Sequence, residues 1–286
     1  MKQLTRPNRV ALLRRLDLST IAGLAVALAG ILGGLILEGG KFSDIGQFTA
    51  AVIVAGGTIG AVLVTTPWRL FWAAVKKLPS VFWHQPESAD SAITEIVSLA
   101  LRARKSGLVP LEKEVEAIAD PFLRKALSLA VDGAGVRDIR QIMDLEICLA
   151  EQRGDAEAKV FEAAGGYAPT IGIIGAVLGL IQVMKHLDDI EALGHGIAVA
   201  FVATVYGVAA ANILLLPVAQ KLKLRLRQSL EMKEMMLEGV IAIAEGINPL
   251  LIRSRLEAYQ QEETTKSRKK EAAPTNAPKA RVASIR

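Results

Sequence analysis

Residues 167–189 read YAPTIGIIGAVLGLIQVMKHLDD. The run is apolar enough for lipid, yet a proline stands near its start and a glycine returns every few residues. Ala168, Gly172, Gly175, Ala176 and Gly179 recur at spacings of three and four, which puts them on one stripe of a helix. Inside a membrane, apolarity gives little drive for helices to associate. Close backbone approach and interhelical hydrogen bonds provide it, and tiny side chains permit both. The stripe therefore reads as a packing face for another helix.

The rest of the chain fits a membrane setting. Of its 286 residues 51% are hydrophobic and only 22% are charged, too small a charged surface for a soluble domain of this size. Roughly 20 consecutive apolar residues cross a bilayer as a helix. Four stretches approach that length: Leu18 to Leu37, Phe48 to Val64, Ala168 to Met184 and Ile197 to Val218. The second and third are short, a length that also suits a buried core helix. The first has a basic flank, but it is too long for a signal peptide and no processing site follows it. The fourth repeats the small-residue face, with Gly196, Ala200, Ala203, Thr204, Gly207 and Ala211.

Charge sets the threading. Lys2, Arg6, Arg9, Arg14 and Arg15 precede the first span, Arg69, Lys76 and Lys77 follow the second, and Lys221, Lys223, Arg225 and Arg227 follow the fourth. The connection from Glu38 is nearly neutral and that from Lys185, containing Asp188 and Asp189, is net acidic. Basic flanks stay in the cytoplasm, so both termini are expected inside, with two short external loops. The net charge of +5 follows from this rule without nucleic acid, and the aromatic residues do not interleave with basic ones as a nucleic-acid platform requires. Trp68, Trp72 and Trp83 are read as anchors at the headgroup level, with ordinary packing as the alternative. Cys148 is the sole cysteine, which excludes an internal disulfide and a cysteine-based metal cluster.

The expected fold is an all-α integral membrane protein: four transmembrane helices, a helical cytoplasmic domain, and long helices extending from the membrane. The segments are a cytoplasmic N-terminal stretch (1–16), spans one and two (17–64), a cytoplasmic helical domain (65–166), spans three and four (167–218), a helical extension (219–260) and a basic tail (261–286) too polar to bury a core. In the domain, Ala92, Ile93, Ile96, Val97 and Ala100 mark one helix face, Gly107 and Pro110 break the pattern, Pro121 suits a helix first turn, and a further helix is expected from Val136 to about Ala163. Arg102, Arg104 and Lys105 precede Gly107, and Glu112, Glu114 and Glu116 follow it. They make either a solvated face with intrahelical ion pairs or a docking surface for a partner of complementary charge.

Polar features within the spans are few. Thr204 either bonds its own helix or lines an ion path, and Asn212 needs a partner or water. Pro169 and Pro217 lie near the cytoplasmic ends of spans three and four. Pro169 is suited to starting a helix; Pro217 is expected to kink one that continues past it; together they suggest a hinge pair. No Asp, Glu, Lys or Arg lies within any span. An ion path normally uses an intramembrane ionisable group, so either no ion moves or a partner supplies the charge.

Five segments in order, LDLSTIAGLAVALAGILGG followed by EGG, RARKSGLVPLE, GGYAPTIGIIGAVLGLI, AVAFVATVYGVAAANILLLPVAQKL and EGVIAIAEGINPLLIRSRL, carry a close family likeness over residues 17 to about 256. The chain resembles the MotA family of flagellar stator proteins, within the MotA/TolQ/ExbB proton channel superfamily. The resemblance implies a ring of subunits, five around two helices of a MotB-like peptidoglycan-binding partner whose aspartate carries the ion, turning against the rotor protein FliG. It assigns Pro169 and Pro217 to torque coupling, Arg104 and Glu112 to the rotor, and Gly172, Gly175, Ala176, Gly179, Ala203, Thr204 and Gly207 to the ion pathway and partner-helix contact. Sodium-type members tend to carry threonines where this chain has Ala176 and Ala203, so the ion is expected to be the proton. No cofactor, metal or catalytic residue is implied, and the location is the bacterial inner membrane. The alternative function is an ExbB- or TolQ-like energiser of outer-membrane processes, though those relatives usually have three spans and an external N-terminus.

Overall fold

A computed structural model describes residues 15–84, 89–185 and 190–258. Residues 1–14, Asp188 and Asp189 of the acidic connection, and the basic tail 261–286 lie outside the described residues. Four helices are long and apolar enough to cross a membrane, in agreement with the four spans of the sequence. Strand structure among the described residues is one two-residue antiparallel ladder, β1 (Arg15–Leu16) with β2 (Trp83–His84).

The first compact unit comprises residues 1–86 and 149–228. Span one is α1 (Leu18–Leu37), and span two is α3 (Phe48–Thr65), reached through the single turn α2 (Phe42–Ile45). Span one buries none of its residues, and Val26 and Ile31 are among its exposed apolar side chains. A face this apolar is suited to lipid or another protein. Span two instead turns Ala50, Val54, Thr58 and Val62 inward at intervals of four. After Pro67 the amphipathic α4 (Trp68–Phe82) begins, exposing Trp68 and Trp72 and burying Ala74 and Val81. Ala74 and Val81 join a core with Val62, Phe161, Val218 and Leu222.

Two long helices carry spans three and four. The first, α8 (Val136–Lys185), runs unbroken for 50 residues with Pro169 in its interior. The expectation that Pro169 starts a helix is thereby corrected, as is the end near Ala163. Proline removes one backbone donor and crowds the carbonyl four residues before it. Here that residue is Gly165, next to Gly166, so half of the crowded turn carries no side chain. The second run comprises α9 (Ile190–Ala209), a π-helical turn (Ala210–Leu215) and α10 (Leu216–Ala244).

The second compact unit comprises residues 87–148 and 229–286. Helices α5 (Ala89–Ser106) and α7 (Pro121–Val131) pack with the first part of α8, the last part of α10 and a helix over 249–258. Ile96, Leu127, Ile139, Met143, Val240 and Leu256 are buried at its centre. The expected start of α7 is present: Asp120 caps it, accepting from the Leu123 N–H at 2.8 Å, with Pro121 at the first position. The segments read from sequence follow membrane crossings, whereas the units follow packing. Helix α4 and residues 149–166 therefore group with the spans.

Asp17 fastens the first unit at one point. One carboxylate oxygen caps α1, accepting from the Thr20 N–H at 3.2 Å and the Ser19 hydroxyl at 2.6 Å. The other accepts from Lys221 Nζ at 2.7 Å and Arg225 Nη2 at 2.8 Å, both on α10. Arg225 also donates to the carbonyls of Val81 and Trp83 at the end of α4. The Lys221 contact first, then the Ser19 hydroxyl, hold the Asp17 carboxyl well below the usual carboxylate range against the opposing effect of burial. A depressed pKa contributes stability that is complete above the unfolded value, about 4, and is lost as pH falls through the folded one. Asp17→Asn should therefore cost about 1.5–3 kcal/mol at pH 7, the worth of hydrogen bonds to a charged group. Thermal unfolding of the detergent-extracted protein from pH 7 to 3 checks this, with the gap between wild type and variant shrinking as pH falls below 4.

Candidate functional site

Spans three and four meet along the small-residue stripes. A Cβ placed on Gly207 would stand 2.5 Å from the Ala168 carbonyl oxygen and 3.1 Å from the Cα of Gly172. One on Gly172 would stand 2.8 Å from the carbonyl oxygen of Ala203, and one on Gly179 2.8 Å from the backbone nitrogen of Ala200. These are backbone contacts, which cannot swing aside as a side chain can. Gly175 abuts the Ala203 methyl and Ile53 of span two. Span two closes the seam further, with Ala50 and Val54 packed on Val202 and Ala203. The face that the sequence offered to another helix is thus occupied, through Gly172, Gly175 and Gly179, by span four of the same chain. Ala203 is fully buried, while Ala176 and Thr204 are half-buried beside the seam.

Hydroxyl groups in the spans are mostly spoken for. The Thr204 hydroxyl donates to the Ala200 carbonyl at 3.3 Å, the intrahelical bond that was one of its two readings. Thr58 of span two is buried, and its hydroxyl has no partner among the described residues. Tyr206 of span four donates to the Ile45 carbonyl and accepts from the Gln47 N–H at 3.3 Å, fastening span four to the start of span two. Nothing in the sequence pointed to this bond, because Tyr206 and Ile45 are 161 residues apart.

The two prolines occupy neighbouring turns. A Cβ on Gly165, the residue that Pro169 crowds, would lie 2.7 Å from the side chain of Leu216, the residue before Pro217. At Pro217 the helix widens rather than stopping. The Leu216 N–H reaches back five residues to the Ala211 carbonyl, and the Asn212 amide donates to the Val208 carbonyl at 2.9 Å. Proline leaves the Ile213 carbonyl without its ordinary donor, and a π turn is one way a helix absorbs such a mismatch. The helix continues past Pro217, as expected, through this widened turn, and the partner that Asn212 required is its own helix.

The charged elbow lies in the second unit. Gly107 takes φ +83°, a left-handed conformation that suits glycine, and ends α5. A 3-10 turn (Val109–Leu111) and α6 (Glu112–Val115) follow, anchored by buried Leu111 and Val115. That anchoring turns Glu112 and Glu116 outward. The ion pair here is Arg102 with Glu114, 2.7 Å apart, and it joins α5 to α6 rather than lying within one helix. Arg104 and Glu112 are exposed, and neither has an ion-pair partner among the described residues.

Comparison with known proteins agrees with this geometry. The family model for the MotA/TolQ/ExbB proton channel family matches residues 114–235, and the model for the motility protein A N-terminal region matches residues 21–107. Motility protein A of Bacillus subtilis (strain 168) is 37% identical over 249 residues, covering 85% of this chain and 91% of the relative. The chain belongs to the MotA/TolQ/ExbB proton channel family. Within it, the chain falls among the MotA flagellar stator proteins. Two solved structures share the fold: C. jejuni MotAB, with TM-score 0.81 and 30% identity over 92% of this chain and 98% of the other, and the flagellar MotAB stator complex from Bacillus subtilis, with TM-score 0.77 and 36% identity over 84% and 95%. A MotA-family member is a channel subunit and not an enzyme.

The seam makes a sharp prediction for this MotA-family chain. Gly207→Ala and Gly172→Ala should each prevent normal packing of spans three and four and abolish motility. Gly166→Ala, on the same helix as Gly172 but with open space around it, should be tolerated. Swimming in soft agar, with membrane levels of each variant measured by immunoblot, compares them directly.

Proposed function

We propose that this chain is the ring-forming stator subunit of a proton-driven flagellar motor. The observation that carries the reading is that spans packed this tightly contain no Asp, Glu, Lys or Arg. Such a pair of helices is a wall for an ion path, and the titrating group must come from elsewhere. A MotB-like partner with a membrane aspartate supplies it, in a complex of five copies of this chain around two partner helices. The half-buried Ala176 and Thr204 and the edge of the seam line the path. The complex sits in the inner membrane with both termini in the cytoplasm, as the basic flanks favour. Pro169 and Pro217, in touching turns, pass a change at the partner's carboxylate to the helices below.

Arg104 and Glu112 meet FliG. Their freedom from ion pairs supports this, since a docking charge already neutralised within its own chain has little to offer a partner. Arg102, bound to Glu114, positions the elbow instead. The ExbB- or TolQ-like alternative has no observation in its favour here.

Reversal of the docking charges tests the reading. Arg104→Glu and Glu112→Lys should each reduce swimming speed several-fold while the complex still assembles, because a like charge at the contact repels the rotor. A compensating charge reversal on FliG should restore part of the speed. Normal swimming by both single variants would contradict the assignment.

A further inference from the structure

A cavity of about 390 Å³ lies between the start of span one, the end of α4 and the π turn before Pro217. It follows the direction of the spans. Its end nearest the basic flanks is polar, with Ser19, Thr20 and Lys221 in the wall. Going deeper, the wall becomes Leu24 and Ala27 on span one and Ile213 and Leu214 on span four, with Asn212, its amide held by the Val208 carbonyl, as the one polar side chain of the lining at that depth. Gly23 opens the space between, and a Cβ there would touch nothing within 4 Å. Two cations, Lys221 and Arg225, share the single carboxylate of Asp17, which among the described residues leaves one positive charge in excess at the polar end.

We propose that this cavity binds one anionic phospholipid, with its phosphate beside Lys221 and the first part of an acyl chain along Leu24, Ala27 and Leu214. The gradient of the lining is the argument for a lipid over a soluble anion, since a free phosphate would gain nothing from the apolar depth. The excess cation is the argument for an anionic headgroup, because basic pockets between spans on the cytoplasmic side favour negatively charged lipid. The bound lipid would wedge span one against the π turn and steady the helix on which Pro217 sits. That the leaflet is the cytoplasmic one rests on the threading given above.

The test uses the complete stator complex, extracted in detergent and washed until annular lipid is gone. It is offered phosphatidylglycerol and phosphatidylcholine in equal amounts, and retained lipid is counted by native mass spectrometry. A roughly fivefold preference for phosphatidylglycerol is expected, the effect of about one cation near a membrane surface. Lys221→Gln should reduce that preference towards parity. Gly23→Leu should abolish retention of both lipids, since its side chain enters the cavity and leaves Asp17, Lys221 and Arg225 in place. Ala27→Phe fills the same space one turn deeper and serves if Gly23→Leu does not assemble. Equal retention by the wild type and a cavity-filling variant would overturn the proposal. So would equal binding of the two lipids, or displacement of the lipid by glycerol phosphate, which would indicate a headgroup site without the chain. None of these results bears on the stator reading, because Gly23 lies outside the seam and the elbow.

Discussion

Everything else in the membrane part of this molecule depends on two backbones touching. Spans three and four approach until a single methyl on Gly207 would strike the Ala168 carbonyl. Lipid gives no hydrophobic reward for such contact, so it must come from dispersion and from shape that only glycine and alanine allow. The cost of the choice is a pair of helices with no charge and few hydroxyls. Such a pair can form the wall of a channel, and neither span holds an Asp, Glu, Lys or Arg.

The seam also fixes what happens at its lower end. With the spans held together, the turns at Pro169 and Pro217 fall side by side, Gly165 against Leu216. The strain of the second proline goes into the π turn rather than into a break, so α10 continues and its first turns reach Asp17. There one carboxylate gathers the start of span one and two cations of α10, while Arg225 holds the end of α4. Lys223 ties the same helix to Glu162 at 2.9 Å, and this contact raises the lysine pKa. The widened turn at Pro217 is thus bounded above by the seam and below by ion pairs. A change at the membrane end has a restricted set of ways to leave.

Periodicity exposed much of this in the sequence. The four spans, the two small-residue faces and the helix start at Pro121 were legible because each is a local pattern with a physical cause. The continuity of α8 through Pro169 was not, since proline is a helix starter and an interior residue alike, and only packing around Gly165 decides between them. The Asp17 cluster escaped because its members are more than 200 residues apart in the chain. At the elbow, six charges were visible but not their pairing. Which arginine was free turned on the buried anchors Leu111 and Val115, which set the direction of α6.

The central claim is that the wall offers too few oxygen ligands to strip water from a metal cation, leaving the proton as the coupling ion. An ion surrenders hydration only where protein oxygens replace it. Ala176 and Ala203 have none in their side chains and Thr58 is buried, which leaves the Thr204 oxygen, its proton turned to its own helix, as a single side-chain ligand where several are needed. Swimming speed of cells driven by this stator alone, measured against external sodium at fixed proton motive force, tests the claim most directly. The account predicts a flat response and arrest by a protonophore. Speed that rises and saturates with sodium, and survives the protonophore at alkaline pH, would contradict it.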